Sequence, residues 1–220
     1  MFSFPRQIPV SIISEKEQSD CEIKSRSIFP SDANPSIKKW NEPHHISVPD
    51  SKDRSSEKLW VFLPGTGATP DYYTLLNNEA VKTGLHAICL RYPNDESVNI
   101  QICPYDWDND CHEKLRKEIV TGENVFDHVE VDRDNSIEGR LRNLLQYLRD
   151  TYSEEEWGQY LDQQDQIVWS TIVISGHSQG AGHAMYIAKH ENGEPIYKDT
   201  WHHLFNPDGY ESTSPSKNKM

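Results

Sequence analysis

The chain has 220 residues, of which 35% are hydrophobic and 26% charged, a length that suits one domain with a sizeable core. Its 22 basic and 35 acidic residues give a net charge of −13, which argues against nucleic acid or an anionic membrane as a partner. No apolar run approaches the roughly 20 residues that span a bilayer, and the first residues lack a signal-peptide pattern. We therefore expect a cytoplasmic protein.

Residues 1–43 are rich in Ser, Lys, Glu and Pro and show no sustained period of 2 or 3.6. This pattern predicts a largely irregular N-terminal arm, to which residues 8–13 contribute one edge strand. A folded core is predicted over residues 44–190, and it begins with a strand at residues 44–48.

A strand, a helix and a second strand are predicted next. Residues 59–63 form a continuous apolar run, typical of a buried parallel strand. Thr69, Pro70 and Asp71 favour a helix start, and Gly84 favours its end. Residues 85–92 then predict the second strand, so this stretch indicates a right-handed crossover unit.

Residues 94–135 predict a lid-like insertion at the carboxyl ends of the strands, or alternatively a plain surface excursion. Within it, Asp110 and Glu113 suit the capping box of a short helix that ends at Gly122. Ser136 then caps a longer helix, whose apolar residues at positions 137, 141, 144, 145 and 148 form one face. A further short helix is predicted from Ser153 to about residue 161.

The four cysteines show no metal-binding pattern, and we expect neither a metal nor a cofactor. Cys21 and Cys89 stand alone in the sequence, whereas Cys103 and Cys111 are eight residues apart. A disulfide between Cys103 and Cys111 would favour an oxidising compartment. Four free thiols in a cytosolic protein are the alternative.

The most informative stretch begins with a predicted buried strand at residues 165–174, followed by Gly176-His177-Ser178-Gln179-Gly180 and a helix to about His190. A strand, a sharp turn with a serine between two glycines and a helix together indicate a nucleophile elbow. The serine needs a strained backbone there, and neighbouring glycines remove collisions with Cβ atoms. The alternative is an ordinary strand-to-helix turn in which Ser178 only caps the helix.

On these residues the chain resembles the α/β-hydrolase superfamily over residues 44–190. It looks most like an uncharacterised branch that pairs a Gly-His-Ser-Gln-Gly elbow with an upstream Leu-Pro-Gly-Thr-Gly turn, here residues 63–67. The resemblance implies a three-layer α/β/α sandwich with a mostly parallel sheet. It also implies that Ser178 is the nucleophile, that the backbone N–H groups of Thr66 and Gln179 form the oxyanion hole, and that the substrate is a small acyl compound.

The resembled fold places the triad acid and histidine after two further strand-plus-helix units, which need roughly 60 residues. Only 42 residues follow Ser178, and from residue 191 to 220 the pattern predicts an irregular tail. His203 is the candidate base, with His202 beside it, whereas His177 and His183 are interpreted as packing or elbow support.

Two hypotheses follow from this shortage of residues. In the first, the chain is a serine hydrolase whose tail supplies the base, or whose complete version has a longer carboxyl end. In the second, it is a truncated and catalytically silent relative that acts as a binding module or has no activity. A truncated sheet would expose a strand edge, so self-association through that edge is expected.

Overall fold

The computed structural model describes residues 22–50, 57–105 and 110–191, and in them the chain forms one β-sheet with helices packed on it. The strands are β1 (Ile23–Ile28), β2 (His44–Pro49), β3 (Leu59–Leu63), β4 (His86–Cys89) and β5 (Ile172–Gly176). The α-helices of these ranges are α1 (Pro30–Ala33), α2 (Thr74–Lys82), α3 (Cys111–Thr121), α4 (Ile137–Thr151) and α5 (Gln179–His190).

The sheet has the order β1-β2-β4-β3-β5. Strand β3 pairs in parallel with β4 and β5, whereas β2 is antiparallel to both β1 and β4. The sheet is therefore mixed and only partly parallel, so the prediction of a mostly parallel sheet was too strong. Strands joined through a crossover helix must run parallel, but strands added at the β1 end need no crossover and can reverse direction.

Strand β3 is buried on both faces, as its continuous apolar run predicts. Its alternate side chains enter two separate apolar clusters: Leu59, Val61 and Leu63 lie in the larger one, and Trp60 and Phe62 in the smaller. Helix α2 contributes Val81 to the smaller cluster, while α4 and α5 contribute to the larger. Helices therefore cover both faces of the sheet.

The predicted cap and apolar face of α4 are confirmed. The Ser136 Oγ accepts a hydrogen bond from the Gly139 N–H at 3.1 Å, which satisfies one of the free donors of the first turn. The five predicted apolar positions are all fully buried: Ile137, Leu141, Leu144, Leu145 and Leu148.

The N-terminal arm differs from the prediction, because β1 and α1 lie within residues that were expected to be largely irregular. Arg26 of β1 donates two hydrogen bonds to Glu155, both at 2.6 Å, and its guanidinium lies 3.9 Å from the centre of the Tyr152 ring. These partners are more than 120 residues away in sequence, so no local pattern could reveal them. The strand predicted at residues 8–13 lies outside the described residues.

Two segments before the elbow also differ in detail. Strand β5 begins at Ile172 rather than near Asp165, because residues Trp169–Thr171 form a 3-10 turn. The helix predicted from Ser153 forms instead as two 3-10 turns, Ser153–Glu155 and Trp157–Tyr160. Glu156 separates them with a left-handed φ of 57°, which interrupts a continuous helix.

The insertion contains a π-helix at Val98–Ile102, a 3-10 turn at Cys103–Tyr105 and α3, which packs against α4 and α5. A disulfide joins Cys103 to Cys111, so the alternative of four free thiols was wrong for this pair. Disulfides are rare in the cytosol, and the cytoplasmic location stays a prediction that this bond does not favour. Within the described ranges no helix is long and apolar enough to cross a membrane.

Candidate functional site

Ser178 lies in the sharp turn between the end of β5 and the start of α5, and its side chain is exposed. Its backbone has φ 51° and ψ −117°. A non-glycine residue in such a conformation costs about 1–3 kcal/mol, and strain of this kind concentrates at functional sites. The predicted strand, sharp turn and helix are all present, and the serine carries the strain.

Close backbone contacts hold Ser178 in this turn. A Cβ on Gly176 would lie 2.4 Å from the Gly180 carbonyl carbon, and a Cβ on Gly180 would lie 2.0 Å from the Leu63 oxygen. The His177 N–H also donates to the Leu63 oxygen at 3.0 Å. The turn therefore packs closely against the end of β3, and positions 176 and 180 have room only for glycine.

The loop after β3 lies directly beside the serine. A Cβ on Gly65 would be 3.4 Å from the Ser178 Cβ, and the Thr66 hydroxyl donates to the Gln179 Oε1 at 2.9 Å. Among the described residues, neither the Thr66 N–H nor the Gln179 N–H donates a hydrogen bond to a backbone oxygen. Thr66 therefore lies next to the elbow, and Gln179, within the elbow, stands at the positive end of α5.

Two buried residues that sequence reasoning missed support this loop. The Asn94 Nδ2 donates to the Gly65 backbone oxygen at 2.6 Å, and the Asn94 backbone oxygen accepts from the Gly67 N–H at 2.8 Å. The Tyr92 hydroxyl donates to the Pro64 oxygen at 2.6 Å. Asn94 could have been found from its position shortly after β4, the parallel neighbour of β3. The carboxyl ends of parallel strands meet at one edge of the sheet, so a polar residue there comes close to the loop after β3.

The Gln179 side chain connects three segments, whereas the sequence predicted only a role for its backbone. Its Oε1 accepts hydrogen bonds from the Thr66 hydroxyl and from the Val98 N–H at 3.2 Å. The residue is only 7% exposed. It therefore joins the loop after β3, the elbow and the insertion in one polar network.

The two histidines near the serine have contacts of their own. His177 Nδ1 lies 3.0 Å from the Tyr73 hydroxyl. His183 is completely buried, with its ring edge against Tyr92, and burial together with the Arg116 charge holds its pKa well below the usual value. These contacts agree with the interpretation of both residues as support for the elbow. The candidate base His203, and His202 beside it, lie outside the described residues.

A shallow, open cavity of about 330 Å³ lies beside Thr66, one of the two predicted oxyanion donors. Thr66, Gly67, Ala68, Tyr72 and Tyr73 line it. Within residues 22–50, 57–105 and 110–191, no cluster of His, Cys, Asp or Glu could hold a metal ion. The arrangement as a whole offers an exposed hydroxyl, two available N–H donors and an adjoining space for an organic group.

No protein-family model matches the chain, and no curated protein matches it. The chemistry of the site therefore rests on the geometry of its own residues.

Proposed function

We propose that the chain is a serine hydrolase that cleaves an ester, thioester or amide through an acyl-enzyme at Ser178. The observation that carries this proposal is the strained backbone of an exposed serine, at φ 51° and ψ −117°, between a parallel strand and a helix. A serine that only capped a helix would take an ordinary extended conformation. The strain thus favours the nucleophile elbow over that alternative.

In the proposed reaction, the Ser178 Oγ attacks the carbonyl carbon while a base removes its proton. The N–H groups of Thr66 and Gln179 stabilise the tetrahedral oxyanion, and each such donor typically contributes about 3 kcal/mol. Collapse of the intermediate expels the leaving group, and water then releases the acid and regenerates the serine. We assign the base to the carboxyl-terminal tail, with His203 as its candidate.

The fold supports an α/β-hydrolase assignment. Helices α2 on one face and α4 and α5 on the other agree with a three-layer α/β/α arrangement. The elbow strand β5 lies next to β3, so the loop after β3 and the elbow meet at one edge. In this proposal residues 44–190 form the catalytic core, and β1 extends it toward the N-terminus.

The test is covalent labelling of the purified chain with a fluorophosphonate, which reacts with serines that a working base activates. We expect one labelled site, and Ser178→Ala should abolish the labelling. Ser175→Ala is the matched control, because Ser175 lies in the same strand and its hydroxyl contacts the Val61 oxygen at 3.4 Å rather than the site. That variant should be labelled like the parent.

The base is tested in the same assay with His203→Ala and His202→Ala. If His203 is the base, His203→Ala should slow labelling by roughly 10⁴-fold or more. His202→Ala should then be labelled at the parent rate. Absence of labelling in a sample with a cooperative thermal transition would contradict the hydrolase proposal. The elbow would then belong to a catalytically silent binding module.

A further inference from the structure

The cavity beside Thr66, one of the two proposed oxyanion donors, is lined by uncharged residues. None of the five residues that line the 330 Å³ cavity is Asp, Glu, Lys or Arg. The Thr66 hydroxyl is engaged by Gln179, and the Tyr73 hydroxyl lies 3.0 Å from His177 Nδ1 and 3.4 Å from the Gly65 nitrogen. The cavity therefore offers aromatic and backbone surface but no charged side chain to pair with an anionic group.

One large apolar side chain that lines the cavity is strongly exposed, and two others are exposed on neighbouring segments of the chain. Tyr72 is 77% exposed and lines the cavity, and Leu75 follows in α2 with 80% exposure. Ile100 is 72% exposed in the π-helix whose first residue, Val98, donates to Gln179. Of these three residues, Tyr72 is the one that lines the cavity, so it is the exposed apolar side chain available to a bound group.

From these observations we propose that the cavity binds the acyl group of an uncharged, apolar carboxylic ester, and that Tyr72 determines this specificity. The inference rests on the proposed hydrolase function. The acyl group stays attached to Ser178 through both steps, so contacts beside the oxyanion donors can stabilise both transition states. The net charge of −13 further disfavours an anionic acyl group over a neutral one.

The experiment compares p-nitrophenyl esters that differ only in the acyl group. Butyrate and hemisuccinate have acyl chains of equal carbon number and differ by one negative charge, and acetate and octanoate differ in apolar length. Each rate is corrected with the Ser178→Ala variant, and each hydrolysis consumes one water and releases p-nitrophenolate and the acid. We expect kcat/KM to be at least about tenfold higher for butyrate than for hemisuccinate, and to rise from acetate to octanoate.

Two substitutions of the exposed Tyr72 test its role without disturbing the core. Tyr72→Ala should lower kcat/KM for octanoate about five- to tenfold and change that for acetate by less than about twofold. Tyr72→Lys should shift the preference from butyrate toward hemisuccinate. Phe29→Ala is the matched control, because Phe29 is an exposed aromatic residue next to α1, with 48% exposure. It should leave all ratios unchanged.

The possible failures are distinguishable. If the fluorophosphonate labels Ser178 but hemisuccinate is cleaved as well as butyrate, or Tyr72→Ala leaves the octanoate-to-acetate ratio unchanged, the specificity inference is overturned and the hydrolase stands. If neither labelling nor Ser178-dependent hydrolysis of any ester occurs, both proposals are overturned together.

Discussion

At the scale of single residues, the candidate site depends on Ser178, whose backbone has a conformation that serine rarely adopts. The positive φ of Ser178 is unfavourable, and it persists because the surrounding contacts leave no room for relaxation. Gly180 is central to this, since a Cβ at this position would lie 2.0 Å from the Leu63 oxygen and 2.6 Å from the Pro64 oxygen, too close for any side chain. A change of one methyl group at this position should therefore affect both stability and chemistry.

We expect Gly180→Ala to lower the free energy of unfolding by about 3 kcal/mol or more, because a new Cβ would meet backbone atoms that cannot rotate away. Urea denaturation measures this loss, and labelling of Ser178 should fall in the same variant. Gly158→Ala is the control, since its Cβ would meet only the flexible Arg149 side chain at 3.3 Å. Equal stability of the two variants would show that the elbow is less tightly packed than described.

At the scale of elements, the insertion contacts the candidate site through a backbone hydrogen bond. Its π-helix begins at Val98, whose N–H donates to the Gln179 side chain. The next turn carries Cys103, and its disulfide to Cys111 joins this segment to the first residue of α3. The covalent bond thus constrains a segment that contacts Gln179, the residue after Ser178.

We expect the Cys103→Ser, Cys111→Ser double variant to be less stable than the oxidised protein by about 2–3 kcal/mol, the loop-closure value for a separation of 8 residues. Thermal unfolding of the variant and of the parent measures the difference, and thiol alkylation before and after reduction verifies the bond. In reducing buffer the parent and the variant should converge. A persistent difference there would contradict the loop-closure explanation.

At the scale of the whole molecule, a long-range ion pair attaches the N-terminal edge strand to the connection after α4. Arg26 and Glu155 are only 18% and 11% exposed at their side chains, and the Glu155 carboxylate also accepts a hydrogen bond from the Trp157 indole at 2.8 Å. Removing one member of such a pair leaves the other charge buried without its partner.

Arg26→Met should therefore cost about 2–4 kcal/mol in unfolding free energy, because the carboxylate of Glu155 loses its bidentate partner. Lys24→Met in the same strand is the matched control: Lys24 pairs with Asp50 at side-chain exposures of 55% and 35%, so its loss should have a much smaller effect than the loss of Arg26. Denaturant titration of both variants checks the contrast. Similar small effects would mean that β1 is held mainly by its strand pairing.

Much of the sheet and helix layout could be predicted because it depends on local patterns. The continuous apolar run of β3, the Ser136 cap of α4 and the glycine-flanked Ser178 each carry their signal within a few residues. The positions of Thr66 and Gln179 beside the serine also follow from the sequence, once the loop after β3 and the elbow are placed at one sheet edge.

The rest was decided by tertiary contacts between distant residues. The antiparallel strands β1 and β2 pair through backbone groups that every sequence carries, and Arg26 finds Glu155 only in the folded chain. Asn94 donates a hydrogen bond to Gly65, and Val98 donates one to Gln179. No pattern of residue spacing in the sequence predicts either contact. The sequence by itself thus determined that Ser178 occupies a sharp, strained turn, because the glycine and serine pattern that encodes the turn is local. Only the tertiary structure decided what surrounds that turn, because packing and hydrogen bonding depend on distance in space.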